Sequence, residues 1–186
     1  MLSRRKLMIN AAGLMAANTL LGIQPLHGGI NDPATNRTLR LRRVATGERI
    51  ELTYWRGNWY VPDALDKVSM FLRDPEQQSV TAVDPALLDF LHAILKHLAY
   101  DGTVTVFDAT VSKETMRKRA QAPGTGYSVA RERLHGFGRA LDFTIPALGM
   151  SRVFEAASDL GRGGVGFLEG DNMVHIDTGE IVSWRA

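Results

Sequence analysis

The first stretch of the chain that could do chemistry contains His135 and Asp142, which stand seven residues apart. An odd offset within one straight β-strand would send the two side chains to opposite faces of the sheet. Gly136 and Gly138 lie between them, and glycine permits backbone turns that other residues resist. We therefore expect a bend that lets the imidazole and the carboxylate converge on one point.

The second stretch contains His175 and Asp177, two residues apart in a segment typical of a β-strand, so their side chains share a face. Two imidazoles and one carboxylate are a ligand set that zinc accepts, and three protein ligands leave a fourth position open for water, as in catalytic zinc sites. Such an ion makes hydrolysis feasible near neutral pH, with a nearby carboxylate moving the proton. Spacing alone also fits an ordinary alternative, in which the histidine caps a loop and the aspartates are solvated.

Periodicity and capping residues predict the elements that must position these side chains. Two alternating segments around Thr46-Gly47 predict a β-hairpin. Asp84-Pro85 predicts the start of a leucine-rich helix, while Ser112 and Ser151 are predicted to cap two further helices. The order of strands, then helices, then strands indicates a small single α+β domain, with helices packed on a mostly antiparallel sheet and the metal site at that sheet. The other predicted segments are a helix over 62–74, a loop over 122–128, and strands over 103–107, 140–145, 165–167, 173–177 and 181–184.

Residues 1–30 have the composition of an export signal. Arg4, Arg5 and Lys6 precede a short and mildly apolar run over 9–23, and the arginine pair is typical of the twin-arginine pathway. We therefore predict a signal segment over 1–30, a working domain over 31–186, and a location in the bacterial periplasm. The run falls short of the roughly 20 apolar residues that a membrane span needs, so stable membrane insertion is not expected. No clean cleavage site is visible, which leaves an uncleaved anchor open.

The bulk composition excludes several kinds of function. Of 22 basic residues in the chain, the three at positions 4–6 belong to the predicted signal, which leaves 19 against 20 acidic residues and a net charge of −1. That balance does not support nucleic-acid binding. The chain has no cysteine, which excludes disulfides, thiolate zinc sites and a cysteine nucleophile.

The motif His135-x-x-Gly138-x-Ala140-x-Asp142, followed by residues 163–167 and then 174–179, resembles the MepK-like murein endopeptidase branch of the zinc D-Ala-D-Ala carboxypeptidase and murein peptidase superfamily. The similarity extends over nearly the whole of 31–186. The resemblance implies a small α+β fold and one Zn²⁺ held by His135, Asp142 and His175. It also implies cleavage of crosslinks between peptidoglycan stem peptides.

The segment after the strand ending near Phe107 departs from that family pattern. Members usually carry Ser-Gly-Tyr-Arg-Ser there, and Val111 stands in place of the arginine thought to grip substrate. Arg133 replaces the serine that usually precedes the first ligand by two residues. We therefore take Arg133 as the candidate substrate-binding cation.

The position of the usual catalytic base also differs. Related carboxypeptidases place an acidic residue three positions before the last histidine ligand, and here that residue is Asn172. Asparagine cannot accept a proton at physiological pH. Asp177 is the preferred catalytic candidate and Asp171 the second, although Asp177 is equally well explained as a turn-forming residue before Thr178-Gly179.

Three functions are compatible with the sequence. The first is a zinc-dependent murein endopeptidase, or carboxypeptidase, acting on stem peptides in the periplasm. The second is a catalytically degenerate relative that keeps the metal and binds murein or a cell-wall enzyme without cleaving, which Val111 and Asn172 favour. The third is a zinc hydrolase that acts on another amide.

Overall fold

A computed structural model describes residues 36–121 and 129–186. The signal predicted over 1–30 and the loop predicted over 122–128 lie outside the described residues. Within them, a single sheet of eight strands is accompanied by five α-helices. None of these described helices is long and apolar enough to cross a membrane.

The predicted elements occur in the predicted order along the chain, and one unpredicted helix is added over 129–136. The strands are β1 (Arg37–Arg43), β2 (Arg49–Arg56), β3 (Trp59–Tyr60), β4 (Val104–Asp108), β5 (Ala140–Thr144), β6 (Gly164–Leu168), β7 (Met173–Asp177) and β8 (Val182–Arg185). The helices are α1 (Pro62–Phe71), α2 (Pro85–His97), α3 (Lys113–Gln121), α4 (Val129–Gly136) and α5 (Met150–Leu160).

The sheet is mixed and mostly antiparallel, in the order β3-β2-β1-β4-β5-β7-β6-β8. The pairs β1–β4 and β6–β8 are parallel, and the other five are antiparallel. The prediction of an α+β domain with a mostly antiparallel sheet is therefore confirmed. The chain crosses the sheet so that β5 and β7, which carry Asp142 and His175, become direct neighbours.

Local capping explains where several helices begin. The Asp84 carboxylate accepts a hydrogen bond from the backbone N–H of Ala86 at 2.9 Å, as predicted for the start of α2. Ser112 Oγ accepts from Thr115 N at 3.1 Å and caps α3, also as predicted. The predicted cap at Ser151 is wrong, because α5 already begins at Met150 and its N-cap is Gly149, which has no side chain to cap with.

Helices α2 and α5 pack against the face of the sheet that carries the hydrophobic core. Leu91 and Ile94 of α2 and Val153 of α5 are fully buried in one cluster with Phe143 and Ile176 of the sheet. Side chains alternate between faces along a strand. The neighbours of Phe143 and Ile176 in sequence, Asp142 and His175, therefore point to the opposite face.

The expected glycine-bent loop around His135 needs correction. His135 lies in the last turn of α4, and the bend follows the helix, at Gly138, whose φ is +66°. A residue in this left-handed region is favoured to be glycine. Sequence inspection missed α4 because the segment 129–136 is polar and shows no apolar stripe.

Candidate metal centre

A row of directly paired residues crosses five strands on the face opposite the core. Asp108 of β4 pairs with Asp142 of β5, which pairs with His175 of β7. His175 in turn pairs with Gly166 of β6, and Gly166 with Trp184 of β8. Directly paired residues share a face, so the strand register brings the polar side chains side by side.

Helix α4 places a second imidazole, that of His135, beside this row. His135 is completely buried, and its Nδ1 atom lies 2.6 Å from the carbonyl oxygen of Ala109. A carbonyl only accepts, so Nδ1 carries the proton and Nε2 presents its lone pair. That Nε2 atom lies 3.6 Å from Asp142 Oδ1, and the His135 and His175 ring centroids are 5.2 Å apart.

Asp142 lies between the two imidazoles. Its Oδ1 atom is 2.6 Å from Nδ1 of His175. Burial alone would raise the pKa of Asp142, but the neighbouring His135 and His175 rings hold that pKa well below the usual range for aspartate. The carboxylate is therefore ionised and suited to bind a cation.

The three side chains fit a zinc ion in their chemistry and their spacing. All are buried, and one ligating atom from each of His135, Asp142 and His175 lies within 4.8 Å of the others. Ligand atoms about 2.0–2.1 Å from a tetrahedral zinc lie roughly 3.3 Å from one another. The separation of 3.6 Å between His135 and Asp142 is close to this value, and the contact of 2.6 Å between Asp142 and His175 needs to open by less than 1 Å.

The predicted catalytic carboxylates occupy different surroundings. Asp177 is buried, and its Oδ2 atom lies 3.1 Å from Nε2 of His175, the ring nitrogen that does not face Asp142. Asp171 is exposed in a 3-10 turn, Glu169–Asp171, before β7. Arg133, the predicted substrate-binding residue, is exposed in the last turn of α4. The structure thus brings Asp177 to the ligand set and leaves Asp171 and Arg133 at the surface.

Two residues that depart from the family pattern, Val111 and Asn172, can be placed in the structure. Val111 is buried. Asn172 follows the 3-10 turn with φ +50°, a left-handed conformation that asparagine tolerates better than most residues. Arg119 of α3 forms an ion pair with Asp108 at one end of the polar row.

Two further contacts to the site were missed by sequence inspection. One is the carbonyl oxygen of Ala109, a backbone atom whose position no pattern of side chains predicts. The other is the ring of Trp184, whose centroid lies 5.3 Å from that of the His175 ring. The Trp184 ring also lies against Gly166, where an added Cβ would be 2.6 Å from a ring atom. Gly166, inside the strand predicted over 165–167, was the available signal for such an approach.

Comparison with known proteins agrees with this geometry. The family model described as peptidoglycan L,D-endopeptidase MepK matches residues 31–184. Peptidoglycan L,D-endopeptidase MepK of Escherichia coli (strain K12) is 32% identical over 183 residues, which cover 98% of this chain and 97% of that relative. Probable peptidoglycan L,D-endopeptidase MepK of Haemophilus influenzae is 30% identical over 152 residues, 80% of this chain and 79% of the relative. No solved structure matches the chain.

Proposed function

The chain belongs to the family of the peptidoglycan L,D-endopeptidase MepK, and from that membership we propose that it is a zinc-dependent L,D-endopeptidase of peptidoglycan that works in the periplasm. The observation that carries the proposal is the buried group of His135, Asp142 and His175, whose ligating atoms face one another. Residues 1–30, with the features of a twin-arginine signal, are the support for the location.

Different residues of the chain are assigned to metal binding and to proton transfer in the hydrolysis. Hydrolysis joins a water oxygen to the scissile carbonyl carbon, breaks the C–N bond and passes one water proton to the leaving amine. A zinc ion lowers the pKa of water to about 7 and polarises the carbonyl. His135, Asp142 and His175 hold that ion, and Asp177 or Asp171 is the candidate for the proton transfer.

Arg133 is the candidate for gripping the substrate. Stem peptides end in carboxylates, and a guanidinium pairs with a carboxylate through two parallel hydrogen bonds. Arg133 is exposed and lies in the last turn of α4, the helix that carries His135. We propose that it orients the stem peptide.

The catalytically degenerate alternative rested on Val111 and Asn172. The curated relatives are named as endopeptidases, and the left-handed backbone at Asn172 accounts for asparagine at that position without reference to catalysis. The names of the relatives favour an enzyme over a binding protein, so the active endopeptidase is the proposal that we keep.

The direct test is digestion of purified sacculi by the purified protein, with and without a zinc chelator. We expect the purified protein to contain one zinc per chain. Mass spectrometry of the digest should show loss of muropeptide dimers joined through L-to-D bonds and release of the matching monomers. Dimers joined only through D-to-D bonds serve as the internal control and should persist. Chelation should stop the release, and added zinc should restore it.

The same digestion separates the other hypotheses. Trimming of stem-peptide ends without loss of dimers would indicate a carboxypeptidase. Binding of one zinc with no change in any muropeptide would reject the endopeptidase and return the degenerate alternative.

A further inference from the structure

The Asp177 carboxylate is bound on both of its oxygens. Oδ1 accepts hydrogen bonds from the backbone N–H groups of Gly179 at 2.6 Å and Gly164 at 3.2 Å, and Oδ2 lies 3.1 Å from Nε2 of His175. Both carboxylate oxygens of Asp177 therefore face nitrogen atoms of the protein.

The glycines around Asp177 leave room for this arrangement. A Cβ at position 164 would lie 2.2 Å from Asp177 Oδ2, and a Cβ at position 179 would lie 2.8 Å from Oδ1. Such separations are too short for any side chain to be accepted without a shift of the carboxylate. Glycine at 164 is therefore a condition for the contact between Asp177 and His175.

The two nitrogens of His175 have different tasks. Nδ1 faces Asp142 and the ligand set, so a bound cation takes the lone pair of Nδ1. An imidazole that gives Nδ1 to a cation carries its proton on Nε2, and Nε2 faces Asp177 Oδ2. An acceptor at the second nitrogen of a ligating histidine fixes its tautomer and orientation.

We propose that Asp177 is a positioning residue, which holds His175 with its proton on Nε2 and its Nδ1 lone pair directed at the metal site, and is not the proton acceptor of the reaction. The inference rests on the proposed function, since it requires that His175 bind a metal. It leaves Asp171 as the remaining carboxylate of the two predicted for proton transfer.

The test is Asp177→Asn, which keeps the shape of the side chain but replaces one acceptor oxygen with an NH₂ donor. The N–H groups of Gly164 and Gly179 hold the remaining oxygen at the Oδ1 position, so the new NH₂ group faces Nε2–H of His175. Two hydrogen-bond donors would then face each other with no acceptor between them. We expect zinc affinity, measured by competition with a chromogenic chelator in the full chain, to fall about 100-fold, the upper end for loss of such a partner.

A matched control and a spectroscopic readout accompany the affinity. Asp159→Asn removes an exposed carboxylate from α5 and should leave zinc affinity unchanged. In long-range ¹H–¹⁵N spectra of the zinc-loaded wild type, His175 should show a protonated Nε2 and a metal-bound Nδ1. That pattern should be lost in Asp177→Asn at the same zinc concentration.

A second variant covers the case in which Asp177→Asn fails to fold. Gly164→Ala leaves the carboxylate in place chemically but displaces it from His175, and we again expect zinc affinity to fall, by at least 10-fold. Gly149→Ala is its control, because a Cβ at that position meets nothing within 4 Å.

The outcomes separate this inference from the proposed function. A wild type that binds no zinc would reject the proposed function and the inference with it. A wild type that binds zinc, with Asp177→Asn binding it within about 3-fold as tightly while hydrolysis is lost, would overturn the positioning role and support a proton-transfer role for Asp177. Unchanged zinc affinity in Gly164→Ala would also overturn it.

Discussion

Replacing His175 with alanine is expected to weaken zinc binding by about 100- to 1000-fold. Structural zinc sites with four ligands are stabilised by about 10–16 kcal/mol, or roughly 2.5–4 kcal/mol for each ligand, and each 1.4 kcal/mol corresponds to a factor of ten. His175 also contacts both Asp142 and Asp177, so its removal leaves two buried carboxylates without their shared partner. Zinc affinity and metal content after dialysis are the measurements.

Hydrolysis should fall with the metal. Loss of the ion removes several kcal/mol of transition-state stabilisation, which corresponds to a decrease of about 10³- to 10⁴-fold in kcat/KM for crosslinked muropeptides. His97→Ala is the matched control, because His97 is an exposed histidine at the end of α2, and it should leave zinc affinity and hydrolysis unchanged. Full activity in the His175→Ala variant would contradict the proposed metal site.

Replacing Gly138 with alanine is expected to lower the free energy of unfolding by about 2–5 kcal/mol. One part is backbone strain, about 1–2 kcal/mol for a residue with a Cβ in the left-handed region, since φ at Gly138 is +66°. The other part is steric, because the new Cβ would lie 2.4 Å from the carbonyl oxygen of Ala82, and overpacking typically costs about 1–3 kcal/mol. Chemical denaturation at neutral pH measures the sum.

Gly47→Ala separates the two contributions. Gly47 has a φ of +72°, and a Cβ there would meet nothing within 4 Å, so this variant should show only the strain, about 1–2 kcal/mol. Gly138 also accepts a hydrogen bond from Asp84 N and donates one to the carbonyl of His135. We therefore expect weaker zinc binding in Gly138→Ala but not in Gly47→Ala. Equal destabilisation by the two substitutions would show that the contact with Ala82 does not matter.

The elements that sequence inspection predicted correctly are those with local causes. Asp84-Pro85 starts α2 through a carboxylate and a ring that act within two residues, and alternation of apolar residues marks β1 and β2. Short helix α4 lacks such a pattern. The start of α5 was misplaced by two residues, because the serine suited to capping lies inside the helix.

Strand pairing required the whole structure. A turn at Thr178-Gly179 follows β7, and a tight hairpin at such a turn would pair the last strand with β7 as an antiparallel neighbour. β7 is already paired on both edges, with β5 and β6. β8 therefore adds to the free edge of β6, in parallel, and this choice carries Trp184 to His175.

The candidate site was predictable in its residue types but not in its contacts. Spacing placed His175 and Asp177 on one face of a strand, and the resemblance to a known family linked His135 and Asp142 to them. Which nitrogen of His175 faces which carboxylate depends on the register between β5 and β7, and this register is set by long-range packing. The Ala109 carbonyl that orients His135 is available from any residue type, so no sequence pattern could predict it.

The most direct test of the metal centre is X-ray absorption at the zinc edge on the purified, zinc-loaded protein. We expect four light-atom ligands at about 2.0–2.1 Å, with the multiple scattering of two imidazoles, one carboxylate oxygen and one solvent oxygen. The imidazole scattering should fall by half in His135→Ala. A shell without imidazole scattering, or a spectrum unchanged by that substitution, would contradict a zinc ion bound by His135, Asp142 and His175.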